Sequence, residues 1–268
     1  MLSVIIIAKN EQELIRGCLE SVKWADEIVV VDNGSDDKTA EIAQKYTSKV
    51  FKIDGLDFGQ LRNNAIEKTE GDWVLYVDAD ERVLAPLKDE LIEITKSSSK
   101  SAYAVSRKNI IFGQEVSYGP YKKDWMIRLF KRKDFETWVG AVHEYGKFKG
   151  ELGYTKNYFL HLTHRNIDHF IKKSLEWSKI DAKLRLEAGH PKMVKWRFVR
   201  IFLSELYTQG VLRKGFFSGT VGIIDSILQV FFFYMTYVRL WELQQPKPLD
   251  EVYKDIDQKL VENDFKYK

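Results

Sequence analysis

Trp73-Val74-Leu75-Tyr76-Val77-Asp78-Ala79-Asp80-Glu81 is the stretch on which the fold turns. Its apolar run reads as a strand covered on both faces, the habit of a parallel sheet layered between helices. The run stops on carboxylates. In such sheets ligands bind in the crevice beyond the carboxyl ends of the strands, so polar residues at that end mark a candidate site.

Upstream, Leu2-Ser3-Val4-Ile5-Ile6-Ile7-Ala8 is a β-branched run of the same kind, followed by Lys9-Asn10-Glu11. Asn10 is placed to cap the next helix, with Glu13 three positions on as in a capping box. Leu14, Ile15, Cys18, Leu19 and Val22 then follow at helical spacing. Glu27-Ile28-Val29-Val30-Val31-Asp32 is a second strand, closed by the turn-rich Asn33-Gly34-Ser35-Asp36-Asp37. A helix over 39–46, a strand over 50–53 and a helix over 58–68 lead back to Trp73. Strand and helix thus alternate in the pattern of a parallel sheet wound with right-handed crossovers.

Downstream, a helix after Pro86 reaches about Lys96, and strand-like runs at 102–106, 115–118 and 126–130 predict a mixed sheet extending the parallel one. From about Asp168 to Leu243 the pattern is helical, and the segment after Pro246 and Pro248 reads as a loosely attached tail. The expected organisation is an α/β domain over 1–165 and a helical extension over 166–268.

The 268 residues are 44% hydrophobic and 30% charged, enough for a sizeable core and unlike a disordered chain. A net charge of +3 gives no argument for nucleic acid. Cys18 stands alone, which excludes disulfides within the chain and fits a reducing compartment, with Cys18 itself read as core packing. Residues 1–8 lack a basic leader region and a small-residue cleavage pattern, and their apolar run is far short of the ~20 residues of a membrane span. A cytoplasmic protein is expected.

Three strand ends, Ala8-Lys9-Asn10-Glu11, Asp32 and Asp78-Ala79-Asp80-Glu81, can converge on one crevice. Two carboxylates flanking a small residue offer hard oxygen ligands to a divalent ion that keeps waters and bridges to substrate phosphates. Asp80 is the metal ligand in this reading. Asp78 reaches the sugar, the ribose or a metal-bound water. An isolated Asp-x-Asp is more often a solvated turn; its place after a strongly apolar strand makes it a site. Asp32 reads equally as the cap of its own turn or as the acceptor for the N3–H of a uracil ring. Arg62 is either a surface helix arginine or a group facing the nucleotide.

The opening Ser3-Val4-Ile5-Ile6-Ile7-Ala8-Lys9-Asn10-Glu11, the segment from Ile28 through Asp32 to Thr39, and Gly71-Asp72 leading into the quoted strand resemble the family 2 glycosyltransferases in order and spacing. The resemblance implies a GT-A-type, Rossmann-like mixed sheet, a nucleotide-sugar donor that is most often UDP-linked, Mg²⁺ or Mn²⁺, and inversion at the anomeric carbon. Arg128-Leu129-Phe130-Lys131-Arg132, Trp138-Val139-Gly140-Ala141-Val142-His143-Glu144, and a helical region with Gly210, Gly215, Gly219 and Gly222 are similar to bacterial enzymes that add glucose to lipopolysaccharide core heptose. That similarity implies a glucose donor and a glycan or lipid-linked glycan acceptor.

Direct displacement needs a general base near the acceptor hydroxyl. Many relatives carry a Glu-Asp pair for this after the metal motif, and none occurs between Asp80 and His161. Glu144 is the first candidate and Asp124 the second. His143 can be a further metal or phosphate ligand, or can shape its loop. His161 and His164, three residues apart, raise the same question, with a diphosphate contact as the role considered for one of them. A sugar nucleotidyltransferase would need a glycine-rich loop after the first strand, where Ala8-Lys9-Asn10-Glu11-Gln12-Glu13 has none. A nucleotide-sugar-binding module that has lost catalysis is the other alternative, kept open by the missing Glu-Asp pair.

Between His190 and Lys214 the basic residues Lys192, Lys195, Arg197, Arg200, Arg213 and Lys214 are interleaved with Met193, Val194, Trp196, Phe198, Ile201 and Phe202. That mix predicts an amphipathic helix on an anionic membrane face, against the alternative of a surface helix packing its aromatic side on a core. The apolar run over 223–238 is interrupted by Asp225, Ser226 and Gln229, which favours a monotopic or core helix over a span.

Overall fold

The computed structural model describes residues 1–55, 58–140, 144–262 and 265. The chain divides into two compact units, Met1–His164 and Arg165–Lys268.

In the first unit the strands are β1 (Leu2–Ala8), β2 (Glu27–Asp32), β3 (Val50–Lys52), β4 (Trp73–Asp78), β5 (Glu81–Val83), β6 (Ala102–Ile111), β7 (Gln114–Val116), β8 (Trp125–Lys131), β9 (Phe135–Val139), β10 (Tyr145–Phe148) and β11 (Leu152–Thr163). The helices are α1 (Ile15–Val22), α2 (Thr39–Ala43), α3 (Phe58–Glu67) and α4 (Ala85–Ser97). The main sheet runs β3-β2-β1-β4-β8-β6-β11-β5, with β7 on β6, and β9 and β10 form a separate hairpin. The first four of these strands are parallel, and β8 enters antiparallel between β4 and β6. This is the expected mixed sheet.

The continuous apolar runs are explained by two cores, one on each face. Val4 and Ile6 of β1 and Leu75 and Val77 of β4 pack with Ile15, Cys18 and Leu19 of α1 and Leu87 and Leu91 of α4. Ile5, Val74 and Tyr76 point the other way, onto Leu61 and Ala65 of α3 and onto Phe130 and Trp138. Successive strand residues face opposite sides, so both cores need apolar residues from the same strand. Cys18 is fully buried, and burial pushes its thiol far above the ordinary range, as befits a core residue. Gly71 fits where nothing larger does: a Cβ there would lie 2.7 Å from the Ser3 backbone nitrogen and 2.9 Å from the Trp73 carbonyl oxygen, prising β1 from β4.

Asn10 does not cap α1, which starts at Ile15 with no side-chain cap. Asn10 instead sits at φ 55°, in the left-handed region, and its Oδ1 accepts the Asp36 N–H at 2.8 Å. The loops after β1 and β2 are stitched together along their length. Asn10 N–H donates to Ser35 Oγ, Glu11 N–H to Thr39 Oγ1, Gln12 N–H to Asp37 Oδ2, and Lys38 N–H to Gln12 Oε1. Parallel neighbours lie about 4.8 Å apart, so two loops leaving adjacent strand ends offer each other partners that displace a local cap.

The second unit contains α5 (Ile167–Glu187), α6 (Lys195–Tyr207), a π-helical turn over Thr208–Leu212, α7 (Gly219–Leu243) and α8 (Leu249–Glu262). Asn166 caps α5 by accepting the His169 N–H. A Cβ on Gly222 would stand 2.4 Å from the Gly215 carbonyl oxygen, so glycine permits this close approach of backbone to backbone. The tail expected after Pro246 is a helix, α8, with no buried residue; the prolines lie before it rather than in it.

By length and composition α7 is able to cross a membrane, with mean hydropathy 1.6 over its most apolar window, of which 33% is buried in the protein. Asp225 and Ser226, the polar breaks in its run, are buried. On α6, Phe198 and Ile201 pack toward Met193 and Leu240. Trp196, Val199 and Leu203, at helical spacing, are 58%, 61% and 57% exposed. The Arg197 and Arg200 guanidiniums sit 5.0 and 5.5 Å from the centre of the exposed Trp196 ring.

Candidate active site

Strand register assembles the site. Ala8 pairs with Asp32 and Ile7 with Asp78, so the two carboxylates flank the end of β1. Just beyond, β5 carries the chain back along β11, pairing Glu81 with His161, while His161 pairs on its other side with Asn109 of β6. A strand invisible in the hydrophobic pattern therefore delivers a histidine to the Asp78-Ala79-Asp80 turn. Arg82 pins that turn to α1, donating to the carbonyls of Ala79, Glu81 and Leu14.

Around Asp78 lies a buried network of charge. Arg62 donates from Nη2 to Asp78 Oδ1 at 3.0 Å, and Arg128 from Nη2 to Asp78 Oδ2. Burial alone would raise the pKa of Asp78, but the charges of Arg128, Arg62 and Arg107 outweigh it and hold this carboxyl far below the usual range. Glu81 is fully buried and accepts the Asp78 N–H at 2.9 Å; burial pushes its pKa up against the pull of Arg128 and Arg107. Its Oε1 lies 3.6 Å from Arg107 and 3.7 Å from Arg128.

Arg62 is no surface residue. It is buried over Trp138 and Tyr76, its guanidinium 4.9 and 5.4 Å from the ring centres, and its Nε donates to Glu144 Oε1 at 3.0 Å. One guanidinium thus fixes both Asp78 and Glu144, residues far apart in sequence. Asn63, one residue on, clips β9 to α3 through the Trp138 N–H and carbonyl, which steadies the strand leading toward Glu144. Asp124 is held differently. Arg107 donates to both its oxygens at 2.8 and 2.9 Å, and Asn109 Nδ2 donates to Oδ2 at 3.0 Å. Burial raises the pKa of Asp124, and the bonds and charge of Arg107 more than offset this, so it stays lowered.

Asp80 Oδ2 and His161 Nε2 face each other at 3.3 Å, and His161 Nδ1 meets Asn109 Oδ1 at 2.6 Å. Adjacent ligands on an octahedral Mg²⁺ stand about 3 Å apart, so the Asp80–His161 spacing fits a divalent ion. Among the described residues no three His, Cys, Asp or Glu side chains surround a common point. Mg²⁺ at a nucleotide is held through as few as one or two carboxylates, with water and phosphate oxygens completing the shell.

The remaining candidates are scattered more widely. Asp32 is buried, and its carboxylate caps its own turn by accepting the Ser35 N–H at 3.2 Å. Glu11 carries the first turn before α1, its carbonyl accepting from Leu14 and Ile15. His164 follows β11 at φ 46°, its carbonyl accepting the Phe112 N–H. His143 lies outside the described residues. Sequence reasoning did not single out Arg107 or Asn109, nor the charge roles of Arg128 and Glu81. Nothing short of burial distinguishes such residues from surface ones.

A parallel sheet whose first strand ends between two carboxylates, followed by an Asp-x-Asp turn and an antiparallel return strand, is the GT-A type of glycosyltransferase domain. The chain belongs to glycosyl transferase family 2, whose profile matches residues 3–152. It is 28% identical over 258 residues to an uncharacterized glycosyltransferase of Rickettsia typhi, covering 90% of this chain and 87% of that one. It is 27% identical over 251 residues to a lipopolysaccharide core biosynthesis glycosyltransferase of Rhizobium meliloti, covering 90% and 92%. Among solved structures, the Staphylococcus aureus TarS 1–349 complex with UDP-GlcNAc aligns at TM-score 0.44 and 18% identity over 83% of this chain and 74% of that one.

Proposed function

We propose that this glycosyltransferase moves a sugar, glucose in the first instance, from a UDP-sugar to a cell-envelope glycan such as lipopolysaccharide core, with inversion. The observation that carries the reading is the convergence of Asp32, Asp78 and Asp80 at the carboxyl end of adjacent parallel strands, with His161 beside Asp80. The choice of acceptor is supported by the full-length similarity to the Rhizobium meliloti enzyme.

In this reading Ala8, Asn10, Glu11 and Asp32 line the nucleotide end, with Asp32 accepting the uracil N3–H. Asp80 and His161 would hold Mg²⁺ or Mn²⁺, which when bound neutralises the leaving diphosphate. Asp78, kept ionised by its arginines, orients donor hydroxyls. Glu144 takes the proton of the acceptor hydroxyl, its rotamer set by Arg62. Asp124, with both oxygens engaged, supports the site instead. Incubation with UDP-glucose and lipopolysaccharide core, with and without EDTA, tests this. Metal-dependent gain of a β-linked glucose from the α-linked donor is expected; retention of configuration or transfer unaffected by EDTA would contradict it.

In this reading the basic and aromatic face of α6 lies on an anionic membrane surface, and the enzyme works peripherally on the cytoplasmic face, where a lipid-borne acceptor would be presented; the exposed Trp196, Val199 and Leu203 support it. Reversing Lys195, Arg197 and Arg200 to Glu should weaken binding to anionic vesicles by about a hundredfold or more, given ~1 kcal/mol per basic residue lost and the added repulsion of each Glu. The loss should be largest at low salt. Unchanged vesicle co-sedimentation would leave α6 as an ordinary surface helix.

A further inference from the structure

We infer that Asn109 is a positioning residue that sets the His161 hydrogen on Nδ1 and so leaves the Nε2 lone pair to a cation at Asp80, and that Asp124 and Arg107 lock the Asn109 amide in the orientation required. The inference rests on the reading of Asp80 and His161 as a cation-holding pair.

The argument starts from the group whose hydrogen bonding is not adjustable. A guanidinium donates and never accepts. Arg107 gives Nε and Nη2 to the two oxygens of Asp124. Asp124, held ionised, can only accept, so the Asn109 atom 3.0 Å from its Oδ2 is the amide nitrogen. The other end of the same amide, Oδ1, is then the atom 2.6 Å from His161 Nδ1. Since Oδ1 is an acceptor, Nδ1 must carry the hydrogen. Nε2, 3.3 Å from Asp80 Oδ2, is then the nitrogen left to give its lone pair to a cation held beside that carboxylate.

Burial makes this chain binding. Asn109 is 1% exposed, so its amide has no water to fall back on, and the reversed amide would set its oxygen against the Asp124 carboxylate. The register holds the parts in line, since Asn109 and His161 are paired residues of neighbouring parallel strands. A metal-binding histidine needs its second nitrogen engaged to fix the ring and the tautomer. Here the engaging partner is a side-chain amide rather than the more usual carboxylate or backbone carbonyl. Asp124 thereby has a task in the site that does not require it to take a proton.

The test uses the full chain and Mn²⁺ as the probe, with binding followed by electron paramagnetic resonance and the ring state in saturating diamagnetic Mg²⁺ by ¹⁵N NMR of histidine-labelled protein, His161 assigned from a His161→Gln spectrum. Wild type in saturating Mg²⁺ should carry the His161 hydrogen on Nδ1 and none on Nε2. Asn109→Leu should move the hydrogen to Nε2 and weaken Mn²⁺ binding roughly ten- to a hundredfold, the usual effect of losing such a partner. The exchange of Asn109→Asp together with Asp124→Asn keeps one amide and one carboxylate in the pair and an acceptor for Nδ1, and should keep both the Nδ1–H form and most of the affinity. If Asn109→Leu binds Mn²⁺ like wild type while His161→Ala does not, the inference is overturned and the cation pair stands. If His161→Ala also binds like wild type, the pair itself is wrong. Should Asn109→Leu fail to fold, the wild-type spectrum still decides, because an Nε2–H ring there overturns the inference.

Discussion

Asp80→Ala is expected to lower transfer by roughly a thousandfold or more, with metal-dependent UDP binding lost and the fold retained. The magnitude follows from the leaving group. A departing nucleoside diphosphate accumulates charge that in this account is met by a divalent ion, and several kcal/mol of that stabilisation depends on the ion staying in place. A methyl group cannot ligate. The fold should survive because alanine keeps the Asp80 backbone contact, the carbonyl accepting the Leu162 N–H at 2.9 Å. Two further supports are kept as well: Arg82 holds the turn through carbonyls, and Asp78 is held by Arg62 and Arg128. Thermal unfolding measured alongside activity separates the two effects. A variant that melts like wild type and is inactive fits; one that is active without metal removes Asp80 from the chemistry.

Glu144→Gln is expected to reduce kcat by roughly a hundredfold or more while leaving UDP binding nearly intact, the usual worth of a general base. Glutamine preserves the shape and keeps an oxygen for Arg62 Nε, so the Arg62 bridge to Asp78 should persist. What is lost is the capacity to take a proton. The comparison that discriminates is Asp124→Asn. That change disturbs the paired bonds from Arg107 and the lock on Asn109, so it should weaken metal binding and lower stability more than it lowers kcat at saturating metal. Should Asp124→Asn be the variant without turnover at saturating metal, and Glu144→Gln turn over normally, the base assignment moves to Asp124.

The parallel half of the sheet was legible because β1, β2 and β4 are buried on both faces and so must be apolar at nearly every position; Ile5 and Ile6 point to opposite cores yet are chemically alike. β11 was not legible. Leu152-Gly153-Tyr154-Thr155-Lys156-Asn157-Tyr158-Phe159-Leu160-His161-Leu162-Thr163 mixes polar and apolar residues without a steady period, and its pairing with β6 shifts register between Tyr154 and Tyr158. Without that strand, nothing in the spacing brings His161 to Asp80, a separation of 81 residues in sequence. Asn10 misled for a related reason, since local capping chemistry is visible in sequence while a competing partner on the next loop is not.

The arginines show the same limit in electrostatic terms. Arg62, Arg107 and Arg128 look in sequence like any cation beside a strand or on a helix. Their role depends on burial, where an unpaired charge is costly and a paired one fixes geometry. Asp78 supplies the pairing for two of them and Asp124 for the third.

Calorimetric titration of UDP into the protein, with Mn²⁺ and with EDTA, tests the central claim most directly. The account predicts a binding isotherm for wild type that requires Mn²⁺, is abolished by Asp80→Ala, and is unaltered in stoichiometry by Glu144→Gln. UDP binding of equal strength in EDTA, or in Asp80→Ala with Mn²⁺, would contradict it.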